Sequence, residues 1–156
     1  MAIRQIVKQG DEVLRKRSFE VTDFGKRTHE LLDDMYDTLV KADGAGLAAV
    51  QVGVLKRIFI VIDGDSARDG VIEFINPEII SQSGTQTGIE GCLSVPGMQG
   101  DVTRPNKVTV RYQDRNGDFF EIKAEGFTAR AICHEYDHLD GTLYIDKAKN
   151  VKASDR

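Results

Sequence analysis

The sequence predicts an α+β fold in which short antiparallel strands and a hairpin pack around a central helix carrying HExxH, with an amphipathic helix near the N-terminus. Three observations predict it. An apolar stripe of helical period runs from Thr28 to Val40, and a second helical pattern, FTARAICHEYDHL, runs from Phe127 to Leu139. Between them lie β-rich runs with no regular alternation of strand and helix, which disfavours a doubly wound parallel sheet.

In the first helix Leu31, Leu32, Met35, Tyr36, Leu39 and Val40 share one face, with Glu30, Asp33, Asp34 and Asp37 largely opposite and a stop near Asp43-Gly44. His29 falls on the polar side and reads as solvated. GAGLAAVQVG (44–53) then reads as a glycine-rich loop, and RIFIVID (57–63) as a buried strand. VIEFINP (71–77) and the stretch around Ile79 and Ile80 read as separate short strands. KVTVRYQDRNGDFFEIKAEG (107–126) alternates on both sides of Asn116-Gly117, a hairpin signal. The last residues, VKASDR, read as loose.

At 156 residues the chain fits one domain spanning 1–156, large enough to bury a core without disulfides or a metal. A net charge of -4 and a pI near 5.4 disfavour a nucleic-acid groove. No segment reaches the roughly 18 apolar residues of a spanning helix, and the N-terminus has no apolar signal region, so a cytoplasmic protein without a membrane partner is expected. The two cysteines, Cys92 and Cys133, are then expected as reduced thiols, available to a metal.

The chemistry concentrates in HEYDH (134–138). Residues four apart on a helix share a face, so His134 and His138 can aim both imidazoles at one ion while Glu135 flanks it. Two neutral nitrogen donors beside a carboxylate that can relay a proton is what metal-assisted hydrolysis requires. HExxH alone arises by chance on solvated helices, so the third ligand decides. Cys133 is turned away from His134 by about a quarter of a revolution and is assigned to packing. Cys92, in the loop-like segment EGCLSVPG (90–97), can be delivered from outside the helix and is the better third ligand.

Three separated segments, GAGLAAVQ (44–51), EGCLS (90–94) and HEYDH (134–138), together resemble the bacterial-type peptide deformylase family. RPNKVTV (104–110) and HLDGTLYID (138–146) extend the resemblance over nearly the whole chain. It implies Cys92, His134 and His138 as metal ligands and Glu135 as the proton-transfer group. It further implies that the Gln51 amide and the Leu93 backbone N–H face the developing oxyanion, and that Gly46 contacts the extended peptide. Glu90 is expected to pair with Arg104 and brace the cysteine segment. The implied reaction removes the N-formyl group from the initiator methionine of N-formylmethionyl peptides, releasing formate. The implied metal is one divalent ion, Fe2+ physiologically, with Zn2+, Ni2+ or Co2+ as substitutes.

Two positions depart from the family pattern. Ala45 stands where Ile or Val is usual, beside the methionine pocket, where a methylene or two changes discrimination by about 1 to 3 kcal/mol. Cys133 stands where Gln is common. Several relatives also continue into a C-terminal helix that docks at the ribosomal exit tunnel; this sequence stops at Arg156, and any ribosome contact is expected to be transient.

Three alternatives compete. A zinc endopeptidase usually takes a downstream His or Glu, and after His138 only Asp140, Asp146 and Asp155 follow. A non-catalytic metal-stabilised module would close all four positions with protein. A metallohydrolase of the same fold could act on another N-acyl peptide.

Overall fold

The computed structural model describes residues 2–63 and 70–154. It has mixed α/β architecture, with two helices and two antiparallel sheets. Helix α1 spans Lys26–Ala42 and α2 spans Gly126–His138. The larger sheet contains β1 (Gly46–Ala48), β2 (Ile58–Ile62), β3 (Val71–Ser83), β6 (Lys107–Gln113) and β7 (Phe119–Glu125), in that spatial order. The smaller joins β4 (Gln86–Cys92), β5 (Val95–Arg104) and β8 (Lys149–Ala153).

Helix α1 ends where Asp43 takes a left-handed conformation, φ 56°, and its N–H reaches back to the Leu39 and Val40 carbonyls. Its buried face, including Leu31, Leu32, Met35 and Leu39, packs with Ile58, Ile60 and Ile75 of the sheet. Two polar residues of α1 depart from the solvated expectation. Asp34 is buried because Arg4 Nε and the Ala2 N–H both donate to it at 2.9 Å, stapling the N-terminal segment to the helix. His29 Nε2 lies 2.7 Å from the Arg115 carbonyl, tying α1 to the β6–β7 connection.

Other corrections concern strands. The 71–83 region is one strand rather than two, and it accommodates Pro77 through register shifts against β6. The glycine-rich segment is a short strand followed by a 3-10 turn, Ala49–Val52, rather than a plain loop. Cys92 ends a strand rather than sitting in a loop. Lys149–Ala153 forms β8 on the edge of the smaller sheet, although its side chains are exposed and carry no burial pattern. Asp155 and Arg156 lie outside the described residues. The hairpin turns through five residues, 114–118, with Gly117 at φ 86°.

Helix α2 packs against β1, β2, β6 and β7. Ala129, Ala131, Ile132 and Cys133 enter a core with Phe59, Phe74, Val108 and Val110. Burying that side of α2 leaves His134, Glu135 and His138 to be met by β1 and β4.

Candidate metal centre

Strand β4 and helix α2 meet with matched spacing. Glu90 and Cys92, two apart on a strand, lie about 6.6 Å apart along its axis, and His134 and His138, four apart on a helix, lie about 6 Å apart along theirs. Each strand residue therefore faces one histidine. Glu90 Oε1 is 2.9 Å from His134 Nδ1, and Cys92 Sγ is 3.5 Å from His138 Nε2. A register shift between Glu90 and Cys92 bends the end of β4, and Leu93-Ser94 closes the turn into β5.

One donor atom from each of Cys92, His134 and His138 lies within 4.8 Å of the others, the only such group among the described residues. Metal–nitrogen bonds of about 2.0–2.1 Å and metal–sulfur bonds of about 2.3 Å place tetrahedral ligands about 3.3–3.6 Å apart, and Cys92 Sγ to His138 Nε2 is 3.5 Å. The residues fit a metal for two further reasons. His138 is fully buried, and burial pulls its imidazole well below the ordinary range, keeping it neutral as a ligand must be. His134, with Nδ1 donating to Glu90, aims Nε2 toward the centre, the carboxylate–histidine arrangement that orients metal ligands. Burial lowers the His134 pKa, but Glu135, Cys92 and Glu90 together raise it well above ordinary, so a cation taking its Nε2 must displace a proton.

Glu135 Oε2 stands 4.0 Å from His134 Nε2, while Oε1 is buried without a hydrogen-bond partner among the described residues. Burial pushes this carboxyl up to about 7, partly opposed by His134. A divalent cation held at the centre would lower it again.

Gln51, 1% exposed, accepts from the Ala48 N–H through Oε1 at 2.9 Å. That bond fixes the amide so that Nε2 points to Ser94 Oγ at 3.1 Å and to Cys92 Sγ at 3.6 Å. Leu93 packs with the α1 core, and a β-carbon on Gly44 would come within 2.9 Å of both Leu39 and Leu93 methyl carbons. Gly46 lies directly against Glu135, whereas Ala45 is half-buried and its carbonyl accepts from the Ile62 N–H at 2.9 Å.

Behind the centre, Arg104 grips both oxygens of Glu90, with Nε at 3.0 Å and Nη2 at 2.9 Å, and Nη1 reaches Asp137 at 2.7 Å. Burial alone raises the Glu90 carboxyl, but hydrogen bonds from His134 and Arg104 overcome it and hold the group at about 2. Sequence reasoning missed Ser94, Asp137 and Arg130, the last of which donates to Glu90 Oε2 at 2.6 Å. Only Arg130 left a signal, its position four residues before His134. Cys133 is 6% exposed within the core, and burial pushes its thiol up to about 11. It serves packing.

Two nitrogen donors, one sulfur donor and an adjacent buried carboxylate on an α+β frame are the parts of a metal-dependent hydrolase. The family model described as "Polypeptide deformylase" matches residues 3–154. The chain is 53% identical over 147 residues to the peptide deformylase of Caldicellulosiruptor bescii, covering 94% of this chain and 86% of that protein. It is 50% identical over 155 residues to peptide deformylase 1 of Bacillus subtilis, covering 99% and 96%. Among solved structures, the peptide deformylase of Legionella pneumophila superposes with a TM-score of 0.91 at 42% identity, covering 95% of this chain and 87% of that one. The chain belongs to the polypeptide deformylase family.

Proposed function

We propose that the chain, as a single catalytic domain, removes the N-formyl group from the initiator methionine of nascent polypeptides, with Cys92, His134 and His138 holding one divalent metal ion. The observation that carries this reading is the convergence of those three donors within 4.8 Å beside the buried Glu135 carboxylate, with α2 as the central element. The metal we assign is Fe2+, with Zn2+, Ni2+ or Co2+ as substitutes; when bound it supplies Lewis acidity to water and to the formyl oxygen.

The chain's own groups perform the rest. Glu135 accepts a proton from the attacking water at a carboxylate oxygen and delivers it to the departing amine nitrogen, so formate and a free N-terminus result. The Gln51 Nε2–H and the Leu93 N–H donate to the oxygen that gains charge. Gly46, packed against Glu135, binds the extended peptide through its main chain, with Ala45 beside the methionine side chain. Glu90 and Arg104 orient His134. A three-donor set leaves room for a reactant, which counts against a structural module that would close four positions.

Substrates are N-formylmethionyl peptides, met in the cytoplasm and transiently at the ribosome. Among the described residues no helix is long and apolar enough to cross a membrane. The test is anaerobic loading with ferrous iron and measurement of formate release from a formyl-Met peptide, with Glu135→Ala as control. Fast release lost in the variant supports the reading. No release at full metal occupancy overturns it, and release only from another N-acyl peptide reassigns the substrate.

A further inference from the structure

Arg130 has no role in the chemistry above, yet it is built into the same centre. It lies one turn before His134 on α2, so Arg130, His134 and His138 follow one another at four-residue spacing on one face. Its side chain is buried, and Nη1 donates to Glu90 Oε2 at 2.6 Å and to the Val102 carbonyl at 3.0 Å. Strand β4 makes room for it: a β-carbon on Gly88 would stand 3.1 Å from Arg130 Nη2.

Glu90 thus spans one turn of α2. Its Oε1 takes His134 Nδ1 and its Oε2 takes Arg130, while Arg104 binds both oxygens from β5. Arg104 by itself fixes the plane of the carboxylate relative to the smaller sheet. Its Nη1 also reaches Asp137 on α2 at 2.7 Å, but it does so from β5 and so does not by itself fix the register of α2 along β4. Two contacts from the same helix, one turn apart, do fix that register, because sliding α2 in either direction breaks one of them.

We propose that Arg130 is a positioning residue: by gripping the far oxygen of Glu90 it sets the register of α2 against β4, and so brings His134 and His138 to Cys92. This rests on the metal centre proposed above.

The test is cobalt(II) affinity, measured by chelator competition, with the thiolate-to-cobalt absorption band reporting Cys92 ligation and thermal unfolding of the metal-free proteins measured alongside. Arg130→Met is expected to weaken cobalt binding about tenfold or more, the usual scale for loss of a group supporting a ligand. Arg130→Lys, which keeps a point donor for Glu90 Oε2 and Val102, recovers most of that loss. In a Glu90→Gln background Arg130→Met has little further effect, since the carboxylate through which it acts is already gone. Parent-like affinity in Arg130→Met overturns the inference, and so does full additivity with Glu90→Gln. Should Arg130→Met not fold, Gly88→Ala decides: it displaces the guanidinium without removing a charge, so weaker cobalt binding supports the inference and unchanged binding overturns it. If the parent protein binds no cobalt through Cys92, the metal-centre reading fails and the inference falls with it.

Discussion

The α-carbon of Gly46 lies against the carboxylate of Glu135: a β-carbon built on Gly46 would stand 2.8 Å from Oε2 and 3.0 Å from Cγ. Glu135 is 4% exposed, so it has little space in which to retreat. Gly46→Ala is therefore expected to displace the proposed proton carrier. A misplacement of this kind costs roughly a hundredfold in kcat, while metal content stays at the parent level. Steady-state formate release with metal analysis checks this, and parent-like turnover would show that the carboxylate tolerates the crowding.

Glu135→Gln preserves size while removing the basic oxygen. It is expected to lower kcat by roughly 10²- to 10⁴-fold, the range for loss of a general acid–base group, and to leave cobalt affinity little changed because Glu135 is outside the donor set. A large loss of cobalt affinity would instead make it a ligand.

Gln51→Ala removes one proposed oxyanion donor and is expected to lower kcat by about a hundredfold or more. It also strips the Ala48 N–H and Ser94 Oγ of a buried partner, which costs about 1–3 kcal/mol of stability. Kinetics and chemical unfolding on the same variant separate the two effects. Unchanged kcat would remove Gln51 from the chemistry.

Glu90 makes the metal-free protein sensitive to acid. Its folded carboxyl sits at about 2 against an ordinary value of 4.5, so below the ordinary value the unfolded chain binds a proton that the folded chain does not. Stabilisation is complete above about 4.5 and is lost as pH falls toward 2, an effect on the order of 3 kcal/mol. Glu90→Gln should flatten unfolding free energy across that window. An equal pH slope in parent and variant would refute the assignment.

Cys133 is buried in the core with its thiol pushed up to about 11, so its thiolate is scarce near neutral pH. Alkylation of the native protein at neutral pH should leave Cys133 unmodified and label it only on unfolding. Peptide mass mapping reads this directly, and rapid native labelling would show that α2 opens.

The order of secondary structure and a candidate donor set were largely legible in the residues. Helical periodicity located α1 and α2 to within about two residues, because an amphipathic stripe is a local property. HEYDH marked two candidate ligands for the same reason: four-residue spacing on a helix is a distance. Asp34 and His29 read as solvated because their partners, Arg4 and the Arg115 carbonyl, are distant in sequence. Strand β8 was missed because an exposed edge strand needs no apolar alternation.

By itself the sequence determined the helices, the hairpin and, through three separated motifs, the family and its expected ligands. Only the tertiary structure decided how those ligands are held: the register of β4 on α2, the 2.9 Å contact from Glu90 to His134, and the second arginine on Glu90 Oε2. The physical reason is separation along the chain. Glu90 is forty or more residues from both His134 and Arg130, and no periodicity within either segment encodes the offset at which a strand end and a helix meet. Packing α2 against the larger sheet while the smaller sheet carries Cys92 brings the two together, and the contacts of His134 and Arg130 with Glu90 mark the offset at which they meet.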